Sequence, residues 1–267
     1  MSDTEKTNSS GLRRIFSIAR NTFREAVRDR VLYNLVLFVL LITASAIFLG
    51  ELTAGEEART IVNLGLSAML LFGAFIAVFV GVSLVSKEIE KRTIYAIFAK
   101  PVGRGEFIVG KYFGLCLTLL VNVLIMGVGV SVALLYVGGA HLAFSIWGAV
   151  FLIFLELTIL TAVAILFSSF STPALSALLT FFVFVIGHFS QSLRDFAANL
   201  GSAGARFFFN TIYYLLPNLS LFSFITNAAH GDAPLVALLG GAFLYAFCYV
   251  AVLLAATVLI FSRRNFK

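Results

Sequence analysis

The chain has 267 residues, of which 60% are hydrophobic and 12% charged, and its mean hydropathy is +1.02. Too little polar surface is present to cover a water-soluble globule, so a freely soluble enzyme or nucleic-acid-binding domain is excluded and an integral membrane protein is indicated. The formal charge of +6 then reads as orientation signals beside lipid, with no nucleic-acid partner.

Residues 1–10 are polar and uncapped by an apolar run, which predicts a short disordered tail and no signal peptide. From 11 to 30, Leu12, Ile15, Phe16, Ala19, Phe23 and Val27 recur at three- and four-residue steps while Arg13, Arg14, Arg20, Arg24 and Arg28 fall on other faces. That pattern predicts an amphipathic helix in the membrane interface. Six apolar segments follow, near 31–50, 61–85, 112–137, 142–168, 174–192 and 235–261. Each approaches the roughly 20 helical residues needed to cross hydrocarbon, and the lack of period-two alternation excludes a barrel. The expected fold is therefore all-α, with six transmembrane helices in a domain over 31–267. Gly138 to His141 make a hairpin turn between the third and fourth spans, and Thr172-Pro173 separates the fourth from the fifth. Cys116 and Cys248 lie in apolar runs without a CxxC or Cys/His cluster, so neither a disulfide framework nor a metal site is indicated.

Sixteen of the 19 Lys and Arg fall in the N-terminal region, in the loop 86–111 and in the last residues; Arg59, Arg194 and Arg206 fall on the other side. The positive-inside rule places both termini and the 86–111 loop in the cytoplasm of a multi-pass inner (plasma) membrane protein. The long outer segment 193–234 is too apolar for a hydrated loop, so short helices dipping back around Pro217-Asn218 are expected.

The 86–111 loop is a charged island between spans and a candidate docking site for a cytoplasmic partner. Glu88 precedes Lys91 and Arg92 by three and four residues, the favourable order for helical ion pairs, and Ile89, Ala96 and Ile97 can share a face. Pro101 ends that helix at or before Lys100, and Gly103 and Gly105 permit the reversal into the third span. Gly105, Gly110 and Lys111 come close to the phosphate-loop spacing GxxxxGK[ST], but Tyr112 stands where the magnesium-binding hydroxyl belongs and no strand precedes. No ATPase site is expected in this chain.

Glu88, Glu90, Thr93, Pro101, Arg104, Gly110 and Lys111 together resemble the E-x-E-x-x-T…P-x-x-R…GK pattern of permease subunits of type-2 ABC transporters, an exporter class. The layout of interfacial helix, six spans, first cytoplasmic loop and folded outer segment is similar too; Arg92 departs from the glycine that many members carry before the threonine. The resemblance implies a coupling helix near 88–99, containing Glu90, Arg92, Thr93 and Ile97, gripped by a separate ATP-binding cassette subunit. That subunit would bind ATP and magnesium, leaving this chain without a cofactor. It further implies a homodimer or a pairing with a similar permease.

Within the spans, Glu156 stands out, because an ionised carboxylate at the bilayer centre costs about 2.5–3.5 kcal/mol on insertion scales. It either lines a translocation path with Asn122 or bonds a neighbouring span through Thr158, Thr161 or Asn122. His188 reads as interfacial at the outer end of span five, and His141 and His230 as outer-loop residues. Gly127, Gly129, Gly240 and Gly241 read as helix-packing positions. Two other functions fit six spans: a proton-coupled secondary transporter using Glu156, which would predict an internal repeat that is not visible, and a non-transporting membrane anchor. An intramembrane protease lacks its HExxH or Ser/His pair. The substrate is not readable from these residue types.

Overall fold

The computed structural model describes residues 3–26, 37–38, 41–42, 44–45, 48, 56–83, 103–199 and 203–263. Among these the chain is helical throughout, with no strand. Helix α1 is Asp3–Ala26, starting ahead of the expected boundary at residue 11, and nothing in 3–10 breaks a helix because it holds neither Pro nor Gly. Helix α2 is Glu57–Phe75 and continues through a π-helical turn, Ile76–Val80. Helices α3 (Arg104–Tyr136) and α4 (Ala140–Ser168) follow. Then come α5 (Pro173–His188), α6 (Ser190–Asn199), α7 (Ala203–Leu215), a 3-10 turn (Leu219–Phe222), α8 (Ile225–Ala229) and α9 (Val236–Arg263).

Among the described residues, four stretches are long and apolar enough to cross a membrane: Glu57–Ser83, α3, α4 and α9. They coincide with the expected spans two, three, four and six. Span five is not a single straight helix, because α5 and the first part of α6 meet at a 65° bend. A second bent pair, Arg206–Leu215 with Leu219–Ala229 at 53°, falls within 193–234 and is interrupted across Pro217-Asn218. Counting each bent pair as one span gives up to six spans. The first expected span, 31–50, lies mostly outside the described residues, although Phe38 and Ile42 are buried.

The α3–α4 hairpin is the centre of the molecule. Gly138 adopts φ +85, a left-handed conformation that glycine takes without Cβ strain, and Gly139 N–H returns to the Leu134 carbonyl at 2.8 Å, closing the end of α3. Along the pair, Ser131 Oγ donates to Ala143 O at 3.3 Å and Tyr112 Oη to Thr158 O at 3.4 Å, which fixes the antiparallel register. The apolar stretch of α4 is 78% buried, whereas that of α9 is 11% buried, so α4 is the hub and α9 lies at the edge. One core cluster joins α4 to α2, α3 and α8, and the other joins α4 to α3, the 3-10 turn and α9.

Close approaches follow small residues. Gly110 and Gly114, one helical turn apart on α3, seat α1: a Cβ on Gly114 would lie 2.6 Å from the Ala19 carbonyl oxygen and 2.6 Å from Thr22 Cβ. Helix α1 presents Gly11, Ile15, Ile18, Thr22 and Ala26 towards α3, while Leu12 and Phe16 on the next arc are 69% and 70% exposed. On α2, Gly73 meets the far end of Leu157 and Gly81 meets Ala164.

These contacts rank two substitutions. Gly114→Val meets backbone, which cannot rotate away, and is expected to displace α1 and destabilise by about 1–3 kcal/mol. Gly73→Ala meets only a flexible Leu157 terminus and should cost less. Thermal unfolding of the two variants in detergent, with limited proteolysis after α1, tests the order; equal losses would contradict it.

Candidate functional site

Of the residues assigned to the cytoplasmic mouth by resemblance, Glu88, Glu90, Arg92, Thr93, Ile97 and Pro101 lie outside the described residues, while Arg104 and Lys111 are described. Arg104 sits in the first turn of α3, and its Nη1 donates to Ser262 O at 2.6 Å and Phe261 O at 3.3 Å. These are among the last carbonyls of α9, which carry the negative end of the helix dipole and have no intrahelical donor. Stacking of Phe107 on Phe261, with centroids 6.1 Å apart, adds an apolar contact to the same junction.

Glu106 reaches back to accept from the Gly103 N–H at 3.0 Å, the side-chain half of a capping box. The same carboxylate accepts from Arg14 Nη1 at 3.4 Å, which ties it to α1. Lys111 is buried, its Nζ 3.6 Å from Glu25 Oε2 and 5.7 Å from the centre of the Phe107 ring. The start of α3 is thus fastened to α1 by two ion pairs and to α9 by a guanidinium. Gly105, Gly110 and Lys111, the near-miss to a phosphate loop, all lie within continuous helix, where the N–H groups past the first turn are spent on the helix itself. Gly110 serves instead to admit Ile18 of α1.

The two candidate path residues find separate partners. Asn122 Nδ2 donates to Thr118 O at 2.8 Å, within α3, and its Oδ1 is buried with no hydrogen-bond partner. Glu156 is 1% exposed and does not pair with Thr158, Thr161 or Asn122: Thr158 and Thr161 donate to Leu155 O and Leu157 O of their own helix. Its neighbour is His188, with Nε2 3.3 Å from Oε1. His188 is therefore not an outer-surface group on a straight span. It ends α5, a helix of 16 residues and so about 24 Å long.

The pairing went unread because neither residue has a sequence neighbour that points to the other. The signal was present all the same, since two ionisable groups in adjacent apolar runs each need a partner. The Gly110/Gly114 seat was legible as a G-x-x-x-G step, but it was absorbed into the loop's reading.

Next to this pair the two broken helices meet. Ser190 and Ser220 donate to Asn218 Oδ1 at 2.5 and 2.6 Å, Asn218 N–H donates to Tyr245 Oη at 2.9 Å, and Tyr249 Oη donates to Leu215 O at 3.0 Å. Gly187 leaves room for Leu219 and the Pro217 carbonyl, where a Cβ would come within 2.9 Å of that oxygen. The break at 216–218 is thus met by hydroxyls of α9, at the Asn218 N–H and the Leu215 carbonyl. An apolar cleft of about 500 Å³ opens between α2 and α5, lined by Phe75, Val78 and Phe79 on one wall and Leu178, Phe181 and Phe184 on the other. The π-helical turn supplies Val78 and Phe79 to it.

A family model described as ABC-2 family transporter protein matches residues 16–266. Among curated proteins, the chain is similar to the probable ABC transporter permease protein NosY of Stutzerimonas stutzeri, with 25% identity over 141 residues. That similarity covers 51% of each protein, so the chain spans about half the length of the curated relative it matches. Matched over nearly its whole length by the family model, and built from helices long and apolar enough to cross a membrane, the chain belongs to the ABC-2 transporter family.

Proposed function

We propose that this chain is the membrane permease subunit of an ATP-driven exporter, and that it receives the work of ATP through the 86–111 loop. A separate ATP-binding cassette subunit, binding ATP and magnesium, would grip the segment 88–99 from the cytoplasm through Glu88, Glu90, Arg92, Thr93 and Ile97. Two permeases, identical or similar, would frame the path across the inner membrane. Both termini of each would face the cytoplasm.

The observation that carries this reading is the fastening of the start of α3. A load applied to the loop enters α3 at Gly103, and there Arg104, Glu106 and Lys111 join α3 to α9 and α1. The three helices would move as one body. Such a linkage is useful only if ATP binding differs between the conformations it connects. Arg104 and Lys111 act in this proposal as internal ties that deliver the load, while the loop residues before Pro101 meet the motor.

A proton-coupled carrier is the second reading, favoured by the buried Glu156–His188 pair alone. Co-purification with an ATPase followed by ATP-dependent flux in vesicles separates the two. No ATPase, with flux driven by a pH gradient, would favour the carrier; ATPase without flux would favour an anchor.

Two substitutions follow. Glu88→Arg, or a proline at Ile94, is expected to cut ATP-driven flux at least about tenfold while membrane insertion and thermal stability stay at the wild-type level. Unchanged coupled flux would count against a coupling helix there. Arg104→Ala should lower stability as well, by on the order of 1–2 kcal/mol, because it strips hydrogen bonds from a charged donor to the end of α9. Loss of coupling with unchanged stability would instead place Arg104 at the ATPase.

A further inference from the structure

Glu156 Oε1 is buried and accepts no aligned hydrogen bond, although His188 Nε2 stands 3.3 Å away. The other ring nitrogen, Nδ1, lies 3.1 Å from the Phe184 carbonyl oxygen, which can only accept. A hydrogen bond there puts a proton on Nδ1. In that tautomer a neutral imidazole turns the lone pair of Nε2 towards the carboxylate oxygen. Two such atoms attract only when one more proton is present, either on Nε2 as an imidazolium or on Glu156 as the acid. With it the pair is neutral overall; without it a net negative charge stays among apolar side chains.

No other ionisable group among the described residues is placed to take the proton's part. On α4 itself the only other titratable side chain is His141, near the far end, and on α5 there is none besides His188. Helix α2 carries Glu57 and Arg59 at its start and nothing ionisable from there through Ser83, and the 3-10 turn and α8 carry none. From α3, Arg104 and Lys111 are engaged with α9 and Glu25, Glu106 pairs with Arg14, Tyr112 bonds Thr158 O, Cys116 faces the groove towards α9, and Tyr136 is exposed. From α9, Tyr245 and Tyr249 bond Asn218 N and Leu215 O, Cys248 is exposed and Arg263 is in the last turn. Beyond the bend, α6 brings Asp195 and Arg194, the latter 5.5 Å from the Tyr213 ring.

We propose that Glu156 and His188 together bind a single proton, and that this proton fastens the broken end of α5 to α4. His188 closes α5 immediately before the 65° bend, so the contact holds the bend against the hub helix. The side chain of His188 is 25% exposed whereas Glu156 is sealed, which makes the imidazole the route by which the proton comes and goes. This inference stands apart from the transport reading, because it requires neither ATP nor cargo.

The test is thermal unfolding of the purified chain in detergent from about pH 6 to about pH 9. An unfolded chain has released both protons by the upper part of that range, since free His and Glu titrate near pH 6.5 and 4.3. A folded state that keeps one proton is then destabilised as pH rises, by up to about tenfold in the folding equilibrium per pH unit. Wild type should therefore lose apparent Tm across the range. Glu156→Gln carries its own N–H to Nε2 and needs no extra proton, so its profile should be flatter. The double variant Glu156→Gln with His188→Gln carries neither titrating group and leaves two amides that can pair, so it should be flat as well, which keeps the test intact if the single variant fails to insert. A flat wild-type profile, or variants that decline in parallel with wild type, would overturn the proposal.

Discussion

Helix α4 is apolar around its whole circumference, and a helix of that kind has to be covered on every side by protein or lipid. Here most of it is covered by protein: the stretch Glu57–Ser83 packs on it through Gly73 and Gly81, α3 runs back along it, and α8, the 3-10 turn and α9 close other faces. Both apolar clusters include α4, so the helix bundle has a centre even though no water is squeezed out within a bilayer. Packing must then come from close contact, and Gly73, Gly110, Gly114 and Gly187 each leave too little room for a Cβ.

Helix breaks impose the second constraint. A backbone that leaves the helix inside an apolar assembly exposes carbonyls and N–H groups that lipid cannot satisfy. The breaks at 188–190 and 216–219 are brought together, and they share their solutions: Asn218 collects two serine hydroxyls, while Tyr245 and Tyr249 of α9 take the freed N–H and carbonyl. Helix α9 is peripheral by burial, yet its tyrosines satisfy the N–H of Asn218 and the carbonyl of Leu215 freed where α7 ends.

Much of this was legible in the residues. Long apolar runs gave the second, third, fourth and sixth spans to within a few residues at most ends, and the apolar character of 193–234 with Pro217-Asn218 pointed to the interruption found there. The bend in the fifth span was not legible, because 174–192 reads as one apolar run; beside the bend Leu219 packs over Gly187, a contact more than 30 residues apart in sequence. Glu156 stands out in the sequence as needing either a water-lined path or a partner, with Thr158, Thr161 and Asn122 as the partners within reach of a local reading. Helical threonines return their hydroxyls to carbonyls of the preceding turn, as Thr158 and Thr161 do, and so have no proton to offer. At the start of α3, Arg104 and Lys111 were visible as cations near a proline and a glycine. Their partners on α9 and α1 depend on which helices lie beside α3, which local pattern does not encode.

The two ends of α3 and α4 are held by different chemistry. At the mouth the ties are charged: a guanidinium on helix carbonyls, Arg14 on Glu106 and Lys111 on Glu25. Around the breaks they are neutral hydrogen bonds plus one pair that is neutral only when protonated. Lys111 is buried and Arg14 and Glu106 are partly so, which makes these ties costly to separate, as the polar groups around the breaks are. In the permease proposed here, a displacement starting at the loop would therefore carry α1, α3 and α9 together and meet, around the breaks, contacts that also yield only as a unit.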